Sequence, residues 1–246
     1  MARPRIAVVI PTLNEEEAIG GVVAAVPREA VDEVIVVDSG STDRTVEHAR
    51  AAGARVLSLH ERGYGRACRA GAEAAQDCDV IVFLDGDGSD CPELIPQLVT
   101  PIAEGHYDFV IGSRARGNRE SGSMAAHQLL AGRIIGAALR WLYGVRYTDM
   151  CPFRAIRRDV LMRLGMREET YGWNLEMQMR AARAGLRILE VPVAHRRRAG
   201  GESKVSGSLS GTLRASARIV ATLLRVAAEP RGHATSPSPP SRRQFR

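Results

Sequence analysis

Aromatic residues are scarce, 4% of a 246-residue chain, with two Trp, four Phe and five Tyr. No apolar run reaches the roughly 18 residues needed to cross a bilayer, which excludes an ordinary helical span. The four cysteines, Cys68, Cys78, Cys91 and Cys151, include no closely spaced pair, so a zinc ribbon or a CxxC redox motif is excluded. They are expected to be reduced, small apolar residues in a cytosolic setting. The stretch 230–246 has no acidic residue, and its Arg231, Arg242, Arg243 and Arg246 supply four of the six net positive charges. The basicity is therefore partly a property of this tail, and without interleaved aromatics it argues against nucleic acid as a partner. Strand-like sequence begins by Arg5, and no secretory leader is expected.

What is present is an ordinary globular composition, 45% apolar and 25% charged. Plentiful Ala, Val, Ile and Leu suit helices stacked on a parallel sheet, and the length suits one large α/β domain. Apolar runs at 5–10 (RIAVVI), 33–37 (EVIVV), 55–59, 80–84 (VIVFL) and 109–111 (FVI) read as buried strands. Helical spacing fills the intervals at 15–26, 43–52, 65–76 and 92–104, with Asn14 placed to cap the first helix and 41–43 the second. This alternation predicts a Rossmann-like, mainly parallel sheet with right-handed crossovers. Beyond Gly112 the rhythm changes. Residues 113–123 (SRARGNRESGS) are expected to be a mobile lid-like loop. They are followed by a helix at 129–143, a short irregular strand at 150–156 and helices at 159–164 and 171–184. An edge strand at 186–193, marked by Pro192, leads to a helix at 208–228, and the tail 230–246 is expected to be disordered.

Ligands of parallel sheets bind beyond the carboxyl ends of the strands. Attention therefore falls on 11–15, 38–43, 85–90 and 113–114. Asp85 and Asp87 are two apart at a strand end, so both carboxylates can meet one target. Carboxylates suit Mg²⁺ or Mn²⁺, with phosphate oxygens completing the shell. Gly86 and Gly88 are expected to leave room for a bulky ligand and to permit a sharp turn. A plain turn is the competing explanation of DGDG. An EF-hand loop fails at its sixth position, Asp90, and its twelfth, Pro96. Asp38, at the end of the second strand, is placed to accept hydrogen bonds from a base or ribose, with Ser39, Ser41 and Thr42 adding short polar groups.

The ordered set VVIPTLNEEEAI, VIVVDSGSTDRT, GYGRACRAG, VFLDGDGSDCPE and DFVIGSR resembles family 2 glycosyltransferases of the GT-A fold, above all the dolichyl- and polyprenyl-phosphate sugar synthases. With the later segments it spans about 6–204. The resemblance implies a nucleoside-diphosphate sugar donor (a UDP- or GDP-sugar), Mg²⁺ or Mn²⁺, and inversion at the anomeric carbon. It implies one domain over 1–229, with a nucleotide-sugar half at 1–112 and an acceptor half plus C-terminal helix at 113–229. By position it implies that Pro11, Asn14, Glu15 and Asp38 contact the nucleoside. Asp85 and Asp87 would form the metal motif, with Ser89 where relatives often carry a Gln that helps the metal. Arg114 and Arg133 would face phosphates. Residues 149–154 (DMCPFR) and Glu176 would lie on the acceptor side, and 196–204 would be the closing basic segment ending at Lys204. The chain departs from the pattern at Ser39, where a second acid is usual, and at Tyr64, where Lys is usual. It also carries no following transmembrane helix.

Expelling a nucleoside diphosphate builds charge on the leaving phosphate. A metal at Asp85 and Asp87 would stabilise that charge, with Arg114 and Lys204 adding to it. A lipid phosphate is already ionised and attacks without losing a proton. A hydroxyl acceptor wants a carboxylate base, for which Asp149 and Glu176 are the candidates. The helix at 208–228 interleaves Leu209, Leu213, Ile219, Val220, Leu223 and Leu224 with Arg214, Arg218 and Arg225. It suits either packing on the domain or contact with an anionic membrane surface. The expected protein is a cytoplasmic or peripheral membrane transferase acting on a polyprenyl phosphate. A transferase using a soluble hydroxyl acceptor and a catalytically silent nucleotide-sugar binder are the alternatives. A nucleotidyltransferase is disfavoured because PTLNEEE is acidic and holds no Gly-rich phosphate loop.

Overall fold

A computed structural model describes residues 3–124, 126–200 and 209–229. Lys204 and the tail 230–246 lie outside the described residues. Four apolar segments, β1 (Ile6–Thr12), β2 (Glu33–Asp38), β3 (Arg55–Ser58) and β4 (Val80–Phe83), pair in parallel around β1. β1, β2 and β4 are buried along nearly their whole length, as strands covered on both faces must be. β5 (Phe109–Ser113), β6 (Arg154–Arg157) and β7 (Ile188–Pro192) complete one seven-stranded sheet in the order β3-β2-β1-β4-β6-β5-β7. β6 runs antiparallel to both β4 and β5, while β7 is parallel to β5 and ends the sheet, so Pro192 sits on an edge strand as expected. Because β6 lies between β4 and β5, the stretches 1–112 and 113–229 share one sheet.

The helices are α1 (Ile19–Ala24), α2 (Thr45–Ala51), α3 (Tyr64–Ala74), α4 (Ile95–Ala103) behind a 3₁₀ turn at Pro92–Leu94, α5 (Ala126–Tyr143), α6 (Arg158–Arg163), α7 (Trp173–Arg183) and α8 (Leu209–Ala228). α3 lies so close to the sheet that a Cβ on Gly71 would stand 2.3 Å from Val9 Cγ1 and 3.0 Å from Val37 Cγ2. α7 carries the fully buried Trp173, edge-on to Phe83 of β4 at 6.4 Å.

Two local expectations need correction. α1 begins at Ile19, four residues later than the spacing suggested, and Asn14 does not cap it. Asn14 takes φ 50, accepts a hydrogen bond from Thr42 N on Oδ1 and donates its own N–H to Ser41 Oγ. Those cross-loop bonds hold the chain in a left-handed turn that a helix N-terminus cannot share. The irregular strand expected at 150–156 is confined to β6, because Pro152 has no N–H to give a ladder.

The reversal of β6 has a consequence for chemistry. The carboxyl ends of β1, β2, β4 and β5 and the amino end of β6 open on the same side of the sheet. Thr12, Asp38, Asp85, Arg114 and Asp149–Cys151 therefore cluster at one end.

Candidate functional site

The loop after β4 is an acidic knot. Asp87 Oδ1 accepts from Ser89 N at 2.9 Å and Ser89 Oγ at 2.6 Å. Asp90 Oδ2 accepts from Asp85 N at 3.0 Å. Ser89 therefore orients Asp87, with its hydroxyl engaged on that carboxylate. The glycines serve the protein's own packing: a Cβ on Gly86 would meet Thr12 Cγ2 at 2.6 Å, and Gly88 has φ 78. The sharp turn is as expected, whereas the space at Gly86 is filled by β1 rather than left for a ligand. Burial, then the charges of Asp90 and Asp87, push the Asp85 carboxyl well above its ordinary range. Burial likewise raises Asp90 to about 7. Carboxylates crowded so that protons are retained are poised to take a cation instead.

The loops after β1 and β2 are zipped together. Besides the Asn14 exchange, Glu15 N donates to Thr45 Oγ1 at 2.7 Å. Asp38 is 3% exposed and accepts from Gly40 N and Ser41 N, both at 3.1 Å, and from the Ser41 hydroxyl. Its carboxylate shapes the β2 loop as well as facing the β1 loop. Pro11, one residue before the end of β1, is paired in register with Val37.

A strap formed by 195–199, just past β7, crosses the acidic knot. Arg196 N donates to Ser89 O at 2.9 Å and Ala199 N to Asp87 O at 3.0 Å. On its other side His195 N donates to Asn118 O and Glu120 N to His195 O, each at 3.0 Å. The strap thus ties the acidic loop to the loop at 113–123. Arg198 joins two expected site acids, donating to Asp87 Oδ2 at 2.7 Å and to both Glu15 oxygens at 2.7 and 2.8 Å. A cavity of about 370 Å³ is lined by residues 117–124 and Leu129.

Arg114 and Asp149, both expected site residues, are paired with each other. Arg114 Nε and Nη2 donate to the two Asp149 oxygens at 2.8 Å each, and Arg114 N adds a third bond at 2.9 Å. Burial works against both charges, yet the pairing keeps Arg114 cationic and holds the Asp149 carboxyl below its usual range. Arg154 is fully buried, donates to Cys151 O and Asn174 O, and lies over the Phe109 ring. Glu176 has 0% exposure, and its oxygens accept from Arg167 N, Glu168 N, Arg180 Nε and Arg225 Nη1. Burial is again outweighed, here by backbone and arginine hydrogen bonds, and its carboxyl is held low. Instead of lining an open acceptor pocket, Glu176 anchors α8 to α7. Arg133 is exposed on α5.

Among the described residues, no three His, Cys, Asp or Glu side chains are grouped so as to hold a metal alone. A hard divalent cation nonetheless fits Asp85 and Asp87, because phosphate oxygens and water supply much of its shell. Two observations support the fit: the crowding of Asp85, Asp87 and Asp90, and the guanidinium of Arg198 already drawn onto Asp87.

The family model of glycosyl transferase family 2 matches residues 7–165. The chain belongs to family 2 of the glycosyltransferases. An uncharacterised glycosyltransferase of Mycobacterium tuberculosis is 37% identical over 217 residues, 87% of this chain and 95% of that protein. The dolichyl-phosphate hexose transferase of Haloferax volcanii is 39% identical over 210 residues, 84% and 89% of the two chains. The undecaprenyl-phosphate mannosyltransferase of Micrococcus luteus is 34% identical over 225 residues, 84% and 90%. Among solved structures, the glucosyl-3-phosphoglycerate synthase of M. tuberculosis with Mn²⁺, UDP-glucose and phosphoglyceric acid superposes with TM-score 0.75 at 29% identity, over 91% and 80% of the two chains. The GT-A fold expected of a family 2 glycosyltransferase is therefore the fold found, and the protein is a glycosyltransferase.

His195 of this glycosyltransferase site was not singled out from the sequence, and Asp90 and Arg198 were covered there only within the segments 85–90 and 196–204. His195 is 5% exposed and its Nδ1 stands 3.9 Å from Asp90 Oδ1, and neither atom has a hydrogen-bond partner. Burial, then the Arg114 charge, holds the imidazole neutral with a pKa of about 4. The rule that residues after a strand matter most, applied to β7, would have found His195.

Proposed function

We propose that this family 2 glycosyltransferase moves a hexose, with inversion, from a UDP- or GDP-sugar to the phosphate of a polyprenyl phosphate. Pro11, Asn14, Glu15 and Asp38 frame the nucleoside, and Asp85 and Asp87 hold Mg²⁺ or Mn²⁺ with Ser89 fixing Asp87. When bound, the cation offsets charge on the departing diphosphate. An acceptor phosphate oxygen forms the new bond to the anomeric carbon as the bond to the nucleoside diphosphate breaks on the opposite face. Arg114 supplies fixed positive charge on the acceptor side, oriented by Asp149.

The observation that carries the acceptor is the state of the two acids the sequence offered as bases. Asp149 and Glu176 are both locked in arginine pairs and held below the usual carboxylate range. Neither is poised to remove a proton near neutral pH. An acceptor that arrives ionised needs no such step. The names of the Haloferax and Micrococcus relatives support the same acceptor class. A hydroxyl acceptor is the second reading. It is favoured by the buried Asp90, whose Oδ1 has no hydrogen-bond partner and whose carboxyl burial pushes up to about 7, and by the phosphoglyceric acid in the mycobacterial synthase structure.

The test is transfer from UDP- and GDP-hexoses, with Mn²⁺ or Mg²⁺, to polyprenyl phosphate in detergent and, separately, to phosphoglyceric acid. Product is read by mass spectrometry. A glycosylated lipid phosphate, lost in Asp87→Asn, is the expected result. Product on phosphoglyceric acid alone overturns the lipid acceptor and installs the second reading.

A further inference from the structure

Asp38 ends β2 with its carboxylate turned on its own loop. Gly40, at φ 83, bends the chain so that its N–H and that of Ser41 both reach Asp38 Oδ2, each at 3.1 Å. The Ser41 N–H also leans on Oδ1 at 3.3 Å, and the Ser41 hydroxyl donates to Oδ1. That hydroxyl is fixed from both sides. Its oxygen accepts from Asn14 N at 2.8 Å, which leaves its single hydrogen directed at Asp38. Further bonds hold the β1 and β2 loops in this register: Thr42 N to Asn14 Oδ1 at 2.9 Å, Glu15 N to Thr45 Oγ1 at 2.7 Å and Arg44 N to Glu16 Oε2 at 2.9 Å. The next residue, Ser39, is 6% exposed and brings a hydroxyl in place of a second carboxylate.

A carboxylate offers about four lone-pair positions, two on each oxygen. The two amides fill Oδ2, and the Ser41 hydroxyl takes one position of Oδ1, so a single acceptor position is left for a ligand. We infer that the donor is a uridine-diphosphate sugar, and that Ser41, by occupying Asp38, is the residue that selects uracil over guanine. Uracil presents one imide donor, N3–H, and the remaining position of Oδ1 accepts it. Guanine presents N1–H and N2–H side by side, a fork that needs an open position on each oxygen. With Oδ2 filled, one guanine donor is left unpaired against a buried acid, a mismatch that lowers affinity by about tenfold or more. A hydroxyl at position 39 supplies no second carboxylate to complete the fork. Because Asn14 N holds Ser41 in place, the arriving base does not free Oδ1 without breaking the contact between the two loops.

The inference rests on the proposed placement of the nucleoside at Asp38, and its test lets the two fail separately. UDP and GDP are titrated into the full chain with Mn²⁺, without sugar or acceptor, and binding is read by calorimetry. UDP is expected to bind about tenfold or more tighter than GDP. Ser41→Ala opens a second position on Oδ1 and should narrow that ratio, whereas Ser41→Thr keeps the hydroxyl and should preserve it. Ser39→Asp adds a carboxylate beside Asp38 and should tighten GDP relative to UDP. The ratio of the two affinities is the readout, since a loosened loop weakens both nucleotides alike. Equal binding or a preference for GDP in the unaltered protein overturns the inference. So does a ratio that neither Ser41→Ala nor Ser39→Asp moves; should Ser41→Ala fail to fold, Ser39→Asp decides alone. Failure of both nucleotides to bind overturns the placement of the nucleoside itself, and this inference with it.

Discussion

At the scale of single residues, the site is governed by which arginine each acid meets. Arg198 bridges Asp87 and Glu15 with its side chain 25% exposed, so a divalent cation approaching Asp87 must share or displace it. Arg198→Ala is expected to tighten Mn²⁺ binding in the absence of nucleotide, read by titration calorimetry. Unchanged or weaker binding would show that the arginine does not compete. Asp87→Asn should lower kcat by about 100-fold or more, since it weakens the group that counters leaving-group charge, and should abolish any Mn²⁺-dependent thermal shift. The Arg114–Asp149 pair is nearly buried, with side-chain exposures of 16% and 5%. Asp149→Ala leaves a buried guanidinium without its partner and is expected to cost about 3–5 kcal/mol in urea denaturation.

These pairings were the least legible feature of the sequence. Asp85, Asp87 and Arg114 stood out because they follow strands, a local signal. That Arg198 would close on Asp87, 111 positions away, or Arg225 on Glu176, 49 away, depends on how the strap and α8 cross the domain. Periodicity carries no trace of that. Glu176 drew attention as an acid on a helix within a family-like motif, and nothing local distinguishes an acid lining a pocket from one buried against a neighbouring helix.

At the scale of elements, α8 is held to α7 by ionic contacts around two buried acids. Glu168 is 3% exposed and accepts from Arg218 Nε at 2.8 Å, Thr222 Oγ1 at 3.0 Å and Thr170 Oγ1 at 2.7 Å. Burial alone would raise its pKa, but these bonds prevail and hold it at about 2, against 4.5 for a free Glu. A carboxyl depressed on folding stabilises the folded chain fully above its unfolded pKa and loses that contribution as pH falls through the folded value. Tm should therefore fall as pH drops from about 4.5 towards 2, and Glu168→Gln should start lower at pH 7 and flatten that decline. A variant with wild-type pH dependence would contradict the pairing. On the sheet side, Gly71→Ala forces α3 away from Val9 and Val37 and is expected to cost about 1–3 kcal/mol by overpacking.

Element existence was easier to read than orientation. β1 to β5 announced themselves as apolar runs between helical repeats. β6 was foreseen as a short irregular strand at 150–156 but not its direction, because four residues reading RAIR carry none, and its reversal is fixed by β4 and β5 on either side. The late start of α1 was hidden for a related reason, since Glu15–Glu17 suits a first helical turn until Asn14 is tied to the β2 loop.

At the scale of the whole molecule, one sheet carries the loops after β1, β2 and β4 and the Arg114–Asp149 pair. Among the described residues no helix is long and apolar enough to cross a membrane. Donor binding should register globally: a nucleoside-diphosphate sugar at 100 times its Kd adds about 2.7 kcal/mol to the folded state. That stabilisation should appear as a Tm rise requiring Mn²⁺ or Mg²⁺ and missing in Asp87→Asn.

The placement of β6 between two strands made before it also bears on synthesis. As the chain leaves the ribosome, β1 to β4 can assemble at once, while β5 has no neighbour in the sheet until β6 and β7 emerge. A nascent chain halted after β5 exposes an apolar strand with unmet backbone groups, the kind of segment chaperones bind. Arrest peptides placed just beyond β6 should register the pulling force of sheet closure that the same peptides placed after β5 do not.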